Sequence, residues 1–334
     1  MFVFKQALRT NCVGRLLAIV VLVARVSLWL GAARARASAA EFAHPSLPGE
    51  IRIDGAGQSG APVLVQMRLQ EGVELAFEVD TGSDTTILDK SLEPLLGRRI
   101  GTGHVPVPFD SAVGPQGIYK APKLSLGRTQ LLAAPQIVTM ELHSRPSHPY
   151  KGILGMDCLQ HYCIQLDFAA GKMCFLDPDH LDTHDLGRAF PITAKPGRNT
   201  VCEGDLFGQG NMQFLVDTGF CGAFDAMLAP KLFQRFLREH KPGGADLTMT
   251  FAGGESTSAA SFPRLDFCCQ TYTDLYFGLV DIRPKRITAN IGLRFVARHL
   301  ATFNFPKRTI YLKPRSGGPL TDSRQTPSAP RPYG

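Results

Sequence analysis

Apolar and polar positions alternate in short runs along most of the chain, and glycine and proline punctuate them. Val63-Leu64-Val65-Gln66-Met67-Arg68-Leu69 reads as a strand, Glu71-Gly72 as a turn, and Val73 to Val79 as the return strand. Thr86-Ile87-Leu88, Lys123 to Leu126 and Pro135 to Val138 add further short strands. One stretch has a different period. Leu232, Phe233, Phe236 and Leu237 recur at helical spacing within Leu228 to His240, which predicts an amphipathic helix packed on the core. Short strands separated by frequent turns predict an all-β protein.

The strands lead into a tetrapeptide that occurs twice, Val79-Asp80-Thr81-Gly82 and Val216-Asp217-Thr218-Gly219. Each copy closes an apolar run, so each reads as a buried strand breaking into a tight loop. Glycine takes backbone angles that other residues resist, and threonine offers a short hydroxyl to a backbone group. The Asp is held at a strand end beside the core, where its proton affinity is open to tuning. A single copy would be an ordinary turn. Here Gly155, in Gly152-Ile153-Leu154-Gly155, follows Asp80 by 75 residues, and Gly292, in Ala289-Asn290-Ile291-Gly292, follows Asp217 by 75. Farther on, Leu166-Asp167-Phe168 matches Phe303-Asn304-Phe305, and Lys172 to Leu176 matches Thr309 to Lys313 in pattern. The equal spacing hides two gaps that compensate: 46 residues separate Asp217 from Pro263 where 42 separate Asp80 from Pro122, and the following interval is shorter by the same amount. The chain therefore carries an internal repeat.

With these residues the chain resembles the aspartic protease superfamily, pepsin-like and retropepsin-like, over residues 63 to 313. The shared signature is two apolar residues and Asp-Thr-Gly, then an apolar-apolar-Gly strand, and both parts occur twice. The resemblance implies an all-β fold of two similar lobes with pseudo-twofold symmetry. It sets the lobes at 63–177 and 200–313, joined by a linker over 178–199, with an extended arm at 41–62 and a disordered polar tail at 314–334. It implies an aspartic endopeptidase acting on a polypeptide, with Asp80 and Asp217 as the catalytic pair and no metal or cofactor required. Thr81 and Thr218 would brace the loops, and Gly82 and Gly219 would let backbone NH groups reach the carboxylates. Ser83 is the small polar residue usual after the motif. Phe220 is not, and it denies Asp217 a hydroxyl donor. A hairpin around Val113, Gly114 and Pro115 lies where the family has a mobile flap, although a plain surface hairpin fits it equally, and Tyr119 is not at its tip. A related fold serving as a non-catalytic peptide-binding module is the alternative. With both lobes in one chain, a monomer is expected.

Charge adds a location. Residues 1–40 hold no acid and six bases, around the apolar runs Leu16 to Ala24 and Val26 to Ala33, and end near Ala37-Ser38-Ala39. This reads as a secretory signal peptide. An uncleaved membrane anchor through residues 16–33 is the rival, and both readings place the lobes outside the cytoplasm, periplasmic or secreted. The chain has 36 bases and 29 acids; without those six bases, 30 remain against 29, a net of +1. The high pI thus belongs to the leader, and no basic patch is left for nucleic acid. Trp29, the one tryptophan, also lies there. Beyond the leader come Cys158, Cys163, Cys174, Cys202, Cys221, Cys268 and Cys269, an odd set that reads as core residues or disulfides. Cys221 has no histidine placed to make it a nucleophile. His180 and His184 have the spacing that binds zinc on a helix, or they belong to a solvated linker.

Overall fold

The computed structural model describes residues 49–53, 60–69, 72–103, 115–142, 150–240, 242, 244–250, 256–267, 270–280, 282 and 286–315. The leader, Val113 and Gly114 of the expected flap, Cys268, Cys269 and the tail from 316 onward lie outside them.

The described chain is predominantly β. In order it forms β1 (Glu50–Arg52), β2 (Leu64–Leu69), β3 (Glu74–Val79), β4 (Ile87–Asp89), β5 (Gly101–Gly103), β6 (Gln116–Lys120), β7 (Leu124–Leu126), β8 (Thr129–Gln130), β9 (Gln136–Met140), β10 (Gly152–Leu154), the short helix α1 (Met156–Leu159), β11 (Cys163–Asp167) and β12 (Lys172–Leu176). After these come β13 (Arg188–Pro191), β14 (Val201–Asp205), β15 (Asn211–Val216), β16 (Ala226–Leu228), α2 (Pro230–Glu239), β17 (Gly244–Thr250), β18 (Ser256–Phe267), β19 (Gln270–Leu279), β20 (Ile287–Ile291), α3 (Leu293–Val296), β21 (His299–Asn304) and β22 (Thr309–Pro314).

Local sequence accounts for the clearest elements. In β2, Val65, Met67 and Leu69 are buried while Gln66 and Arg68 are exposed, the period-two pattern of a strand with one wet face. The predicted helix is α2. Pro230 opens it, where a missing NH costs nothing, and Leu232, Phe233 and Phe236 form its buried stripe. Phe236 meets Phe207, Phe262 and Phe277 at ring-centroid distances of 5.9, 5.8 and 5.5 Å, each near edge-to-face.

Three sheets carry these elements. The first is ordered β5-β6-β9-β4-β10-β3-β2-β7-β8 and the second β14-β15-β20-β16-β19-β18-β17. Both follow one scheme. β2 and β14 pair antiparallel with β3 and β15, which run parallel to β10 and β20. Those pair antiparallel with β4 and β16, which run parallel to β9 and β19. The hairpins β5–β6 and β17–β18 then complete the two edges. The repeat in sequence is therefore repeated pairing by pairing, and β7 and β8 extend the first sheet alone.

The third sheet, β1-β12-β11-β21-β22-β13, joins the two halves. At its centre β11 and β21 pair antiparallel, with Leu166 opposite Ala301. Its edges draw in two segments from outside the expected lobes. Glu50 to Arg52, within the expected arm, is an edge strand on β12, and Arg188 to Pro191, within the expected linker, is an edge strand on β22. The linker also holds no helix at His180 and His184, so the zinc spacing lacks the geometry it needs, and exposed His180 bonds Asp177 at 2.8 Å. Cys158, Cys163, Cys174, Cys202 and Cys221 are free thiols, so none of these five forms a disulfide.

His299 in β21 is fully buried. Its Nδ1 lies 3.0 Å from the Phe295 carbonyl, which only accepts, so Nδ1 carries the hydrogen and Nε2 accepts from the Tyr272 hydroxyl at 2.8 Å. Burial, ahead of the nearby Arg298 charge, lowers its pKa to about 4. An unfolded histidine titrates near 6.5, so below that pH the unfolded chain takes up a proton that the folded one refuses. The stabilisation is complete above about pH 6.5 and falls by roughly 3 kcal/mol between about pH 7 and pH 4. The buried carboxyls with raised pKa act in the opposite sense, so the comparison is between chains: His299→Leu should lose less stability, or gain more, than the unmodified chain when urea unfolding is moved from about pH 7 to about pH 4.

Candidate functional site

β3 and β15 end on their parallel partners, and the two aspartates follow. Asp80 N donates to Leu154 O at 3.1 Å, and Asp217 N donates to Ile291 O at 2.9 Å. The strands that lead into Gly155 and Gly292 thus hold the base of each Asp loop. Inside the loops the NH groups of Gly82 and Ser83 donate to Asp80 Oδ1 at 2.7 and 3.1 Å. Those of Gly219 and Phe220 donate to Asp217 Oδ1 at 3.0 and 2.9 Å.

The loops are locked across the molecule by their threonines, both fully buried. Thr81 Oγ1 donates to Val216 O at 2.8 Å and accepts from Thr218 N at 3.1 Å. Thr218 Oγ1 donates to Val79 O at 2.6 Å and accepts from Thr81 N at 3.0 Å. The glycines are required for space rather than for backbone angle. A Cβ on Gly82 would stand 2.3 Å from Cγ of Asp217, and one on Gly219 would stand 2.3 Å from Cγ of Asp80. Neither glycine has a positive φ, so the backbone angle expected from sequence gives way to close approach.

Asp80 and Asp217 share a hydrogen bond, and burial raises both carboxyl pKa values. For Asp80 the Asp217 charge and then the Glu78 charge add to burial and lift it well above the usual range. For Asp217 burial is opposed by hydrogen bonds, first among them Asn290 Nδ2 to Oδ2 at 3.0 Å. Both aspartates keep partial solvent contact. Among the described residues neither is held in an ion pair. Arg198 pairs with Asp84 at 2.8 Å, and Arg298 and Arg294 pair with Asp225 at 2.9 and 3.6 Å.

One expectation about the flanking residues changes. The Ser83 hydroxyl donates to Thr85 O at 2.8 Å, so Ser83 serves Asp80 through its backbone NH alone. The Phe220 ring lies against Gly292, where a Cβ would come within 2.5 Å of Cδ1, and it packs with Phe224 and Met227. Pro115 is exposed and directly precedes β6. β5 and β6 pair antiparallel, and residues 104–114 between them are outside the described set.

Sequence reasoning passed over two groups. Glu78, 4% exposed, lies two residues before Asp80 and accepts from the Tyr150 hydroxyl and from Cys221 Sγ at 3.4 Å. Asn290 occupies the position that Ile153 holds in the first copy. An acid inside an apolar strand and an amide inside an apolar triplet were the available signals. Burial, then Glu78, raises the Cys221 thiol pKa far above its ordinary value, which keeps it protonated and argues against a nucleophilic role. No family model matches the chain, and no curated protein matches it significantly.

Proposed function

We propose that the chain is an aspartic-type endopeptidase of pepsin-like and retropepsin-like architecture, two lobes about a pseudo-twofold axis with Asp80 and Asp217 on that axis. One observation carries the reading: two carboxyls from distant halves share a hydrogen bond, each pressed against the other loop's glycine and each loop locked by the other's threonine. Two carboxyls this close do not both ionise cheaply, so the pair retains one proton. The ionised member takes a proton from a water between them, and the water oxygen attacks the peptide carbonyl carbon. The protonated member donates to the carbonyl oxygen. Collapse of the tetrahedral intermediate breaks the C–N bond as the leaving nitrogen receives a proton, giving a carboxylic acid and an amine.

The substrate class is an extended polypeptide, the expected state a monomer, and the expected location outside the cytoplasm, after cleavage of the leader or tethered by it. No helix among the described residues is long and apolar enough to cross a membrane. A peptide mimic with a hydroxyl at the scissile position should inhibit cleavage of a diverse peptide library, and the pH–rate profile should be bell-shaped, with the two limbs belonging to the pair. Clean protein that cuts no library peptide from acid to neutral pH would favour the non-catalytic peptide-binding module. The missing hydroxyl donor at Phe220 is the feature that supports this second reading.

A further inference from the structure

The backbone treats the two aspartates alike, with two NH donors to Oδ1 of each. The side chains do not. Asn290 Nδ2 donates to Asp217 Oδ2, while the equivalent residue beside Asp80 is Ile153, which has nothing to donate, and the Ser83 hydroxyl is turned to Thr85 O. On the other flank, buried Glu78 sits on β3, two residues before Asp80. Its partners Tyr150 and Cys221 are both donors, so the carboxyl between them accepts from both. No such acid stands before Asp217, where the matching residue is Leu215.

We propose that this dyad is polarised by residues outside the Asp-Thr-Gly motif: Asp80 carries the shared proton, Asp217 is the base, and Asn290 and Glu78 are the positioning residues that set this order. Asn290 stabilises negative charge on Asp217. Glu78 opposes negative charge on Asp80. Each acts on one member, and both push the proton the same way. Among the described residues the titratable groups facing the pair are Glu78 on β3, Tyr150 ahead of β10 and Cys221 after the second loop; the last two hydrogen-bond Glu78, and their own ionisation is pushed out of range by burial. The ordering of Asp80 and Asp217 is consistent with this, since Asp80 is raised further and Asp217 is the one eased by its hydrogen bonds.

This inference rests on the two aspartates being a proton-sharing pair, but its test needs no turnover. The full chain, labelled with 13C at aspartate Cγ, is titrated by NMR from about pH 3 to about pH 9, and the two dyad resonances are assigned by their loss in Asp80→Asn and Asp217→Asn. The lower transition should be that of Asp217. Asn290→Ile, which restores the apolar pattern of the first copy, should raise the lower transition by about one pH unit and leave the upper one nearly in place. Glu78→Gln should lower the upper transition by a similar amount and spare the lower one. A residue with a merely structural role would not shift opposite ends of the titration in this way. A lower transition at Asp80 in the unmodified chain overturns the proposal even if a variant does not fold, and so does a pair of folded variants with unmoved transitions. Absence of peptide cleavage alongside the expected titration would remove the peptidase reading and leave the polarised pair standing.

Discussion

Asp80→Asn and Asp217→Asn should each lower kcat/KM on a cleaved peptide by about 1000-fold or more, within the range by which positioned proton transfer accelerates reactions. The replacement is nearly isosteric. The carbonyl oxygen of the new amide still accepts the NH groups of Gly82 and Ser83, or of Gly219 and Phe220. What is lost is the ability to take a proton from water or to give one to the carbonyl. Stability should not fall in step, because each change also removes a carboxyl whose ionisation burial disfavours. The measurement is a progress curve for each purified variant beside its urea unfolding curve. Cleavage at the unmodified rate by either folded variant, once a hydroxyl mimic has excluded a contaminating protease, would remove the peptidase assignment.

Thr218→Val should be the most damaging conservative change to stability. Valine keeps the shape and removes the hydroxyl. The Val79 carbonyl then loses its donor at 2.6 Å, and the Thr81 NH loses its acceptor at 3.0 Å, in a fully buried place. A buried group left without a partner costs about 1–3 kcal/mol, so the two together cost roughly 2–6 kcal/mol. Thr81→Val should behave alike, since it strands Val216 O and Thr218 N. Thr218→Ser keeps the hydroxyl and should recover most of the loss. Equilibrium unfolding in urea decides it: a valine variant as stable as the unmodified chain would mean that the crossed threonines do not hold the loops together.

Much of this was readable from local pattern. The β2–β3 pair, the helix from Pro230 to Glu239 and the repeated Asp loops all depend on neighbours close in sequence, and periodicity reports such neighbours directly. What escaped depends on partners far away. Glu50 to Arg52 and Arg188 to Pro191 are short, partly polar edge strands, and only β12 and β22 make them strands. The Ser83 hydroxyl had two acceptors within reach, and composition does not choose between them. Glu78 looked like a polar position on a strand, but its neighbours Phe77 and Val79 are buried as well, so the strand end has no wet face. Of the two reasons the sequence offered for the glycines, NH access to the carboxylates holds and backbone angle does not; the carboxyl that forbids a side chain is far along the chain, Asp217 lying 135 positions from Gly82 and Asp80 lying 139 from Gly219.

The substitution of Asn290 for an aliphatic residue on only one side has a consequence for orientation. A cleft assembled from two identical chains offers an incoming peptide the same walls whichever way it runs, so both directions of binding have equal energy. Copies joined in one chain are free to drift separately, and here Ile153 corresponds to Asn290 and Ser83 to Phe220 in the repeat. If the proposed peptidase reading holds, the two directions then differ in energy, and a peptide should bind preferentially in one of them.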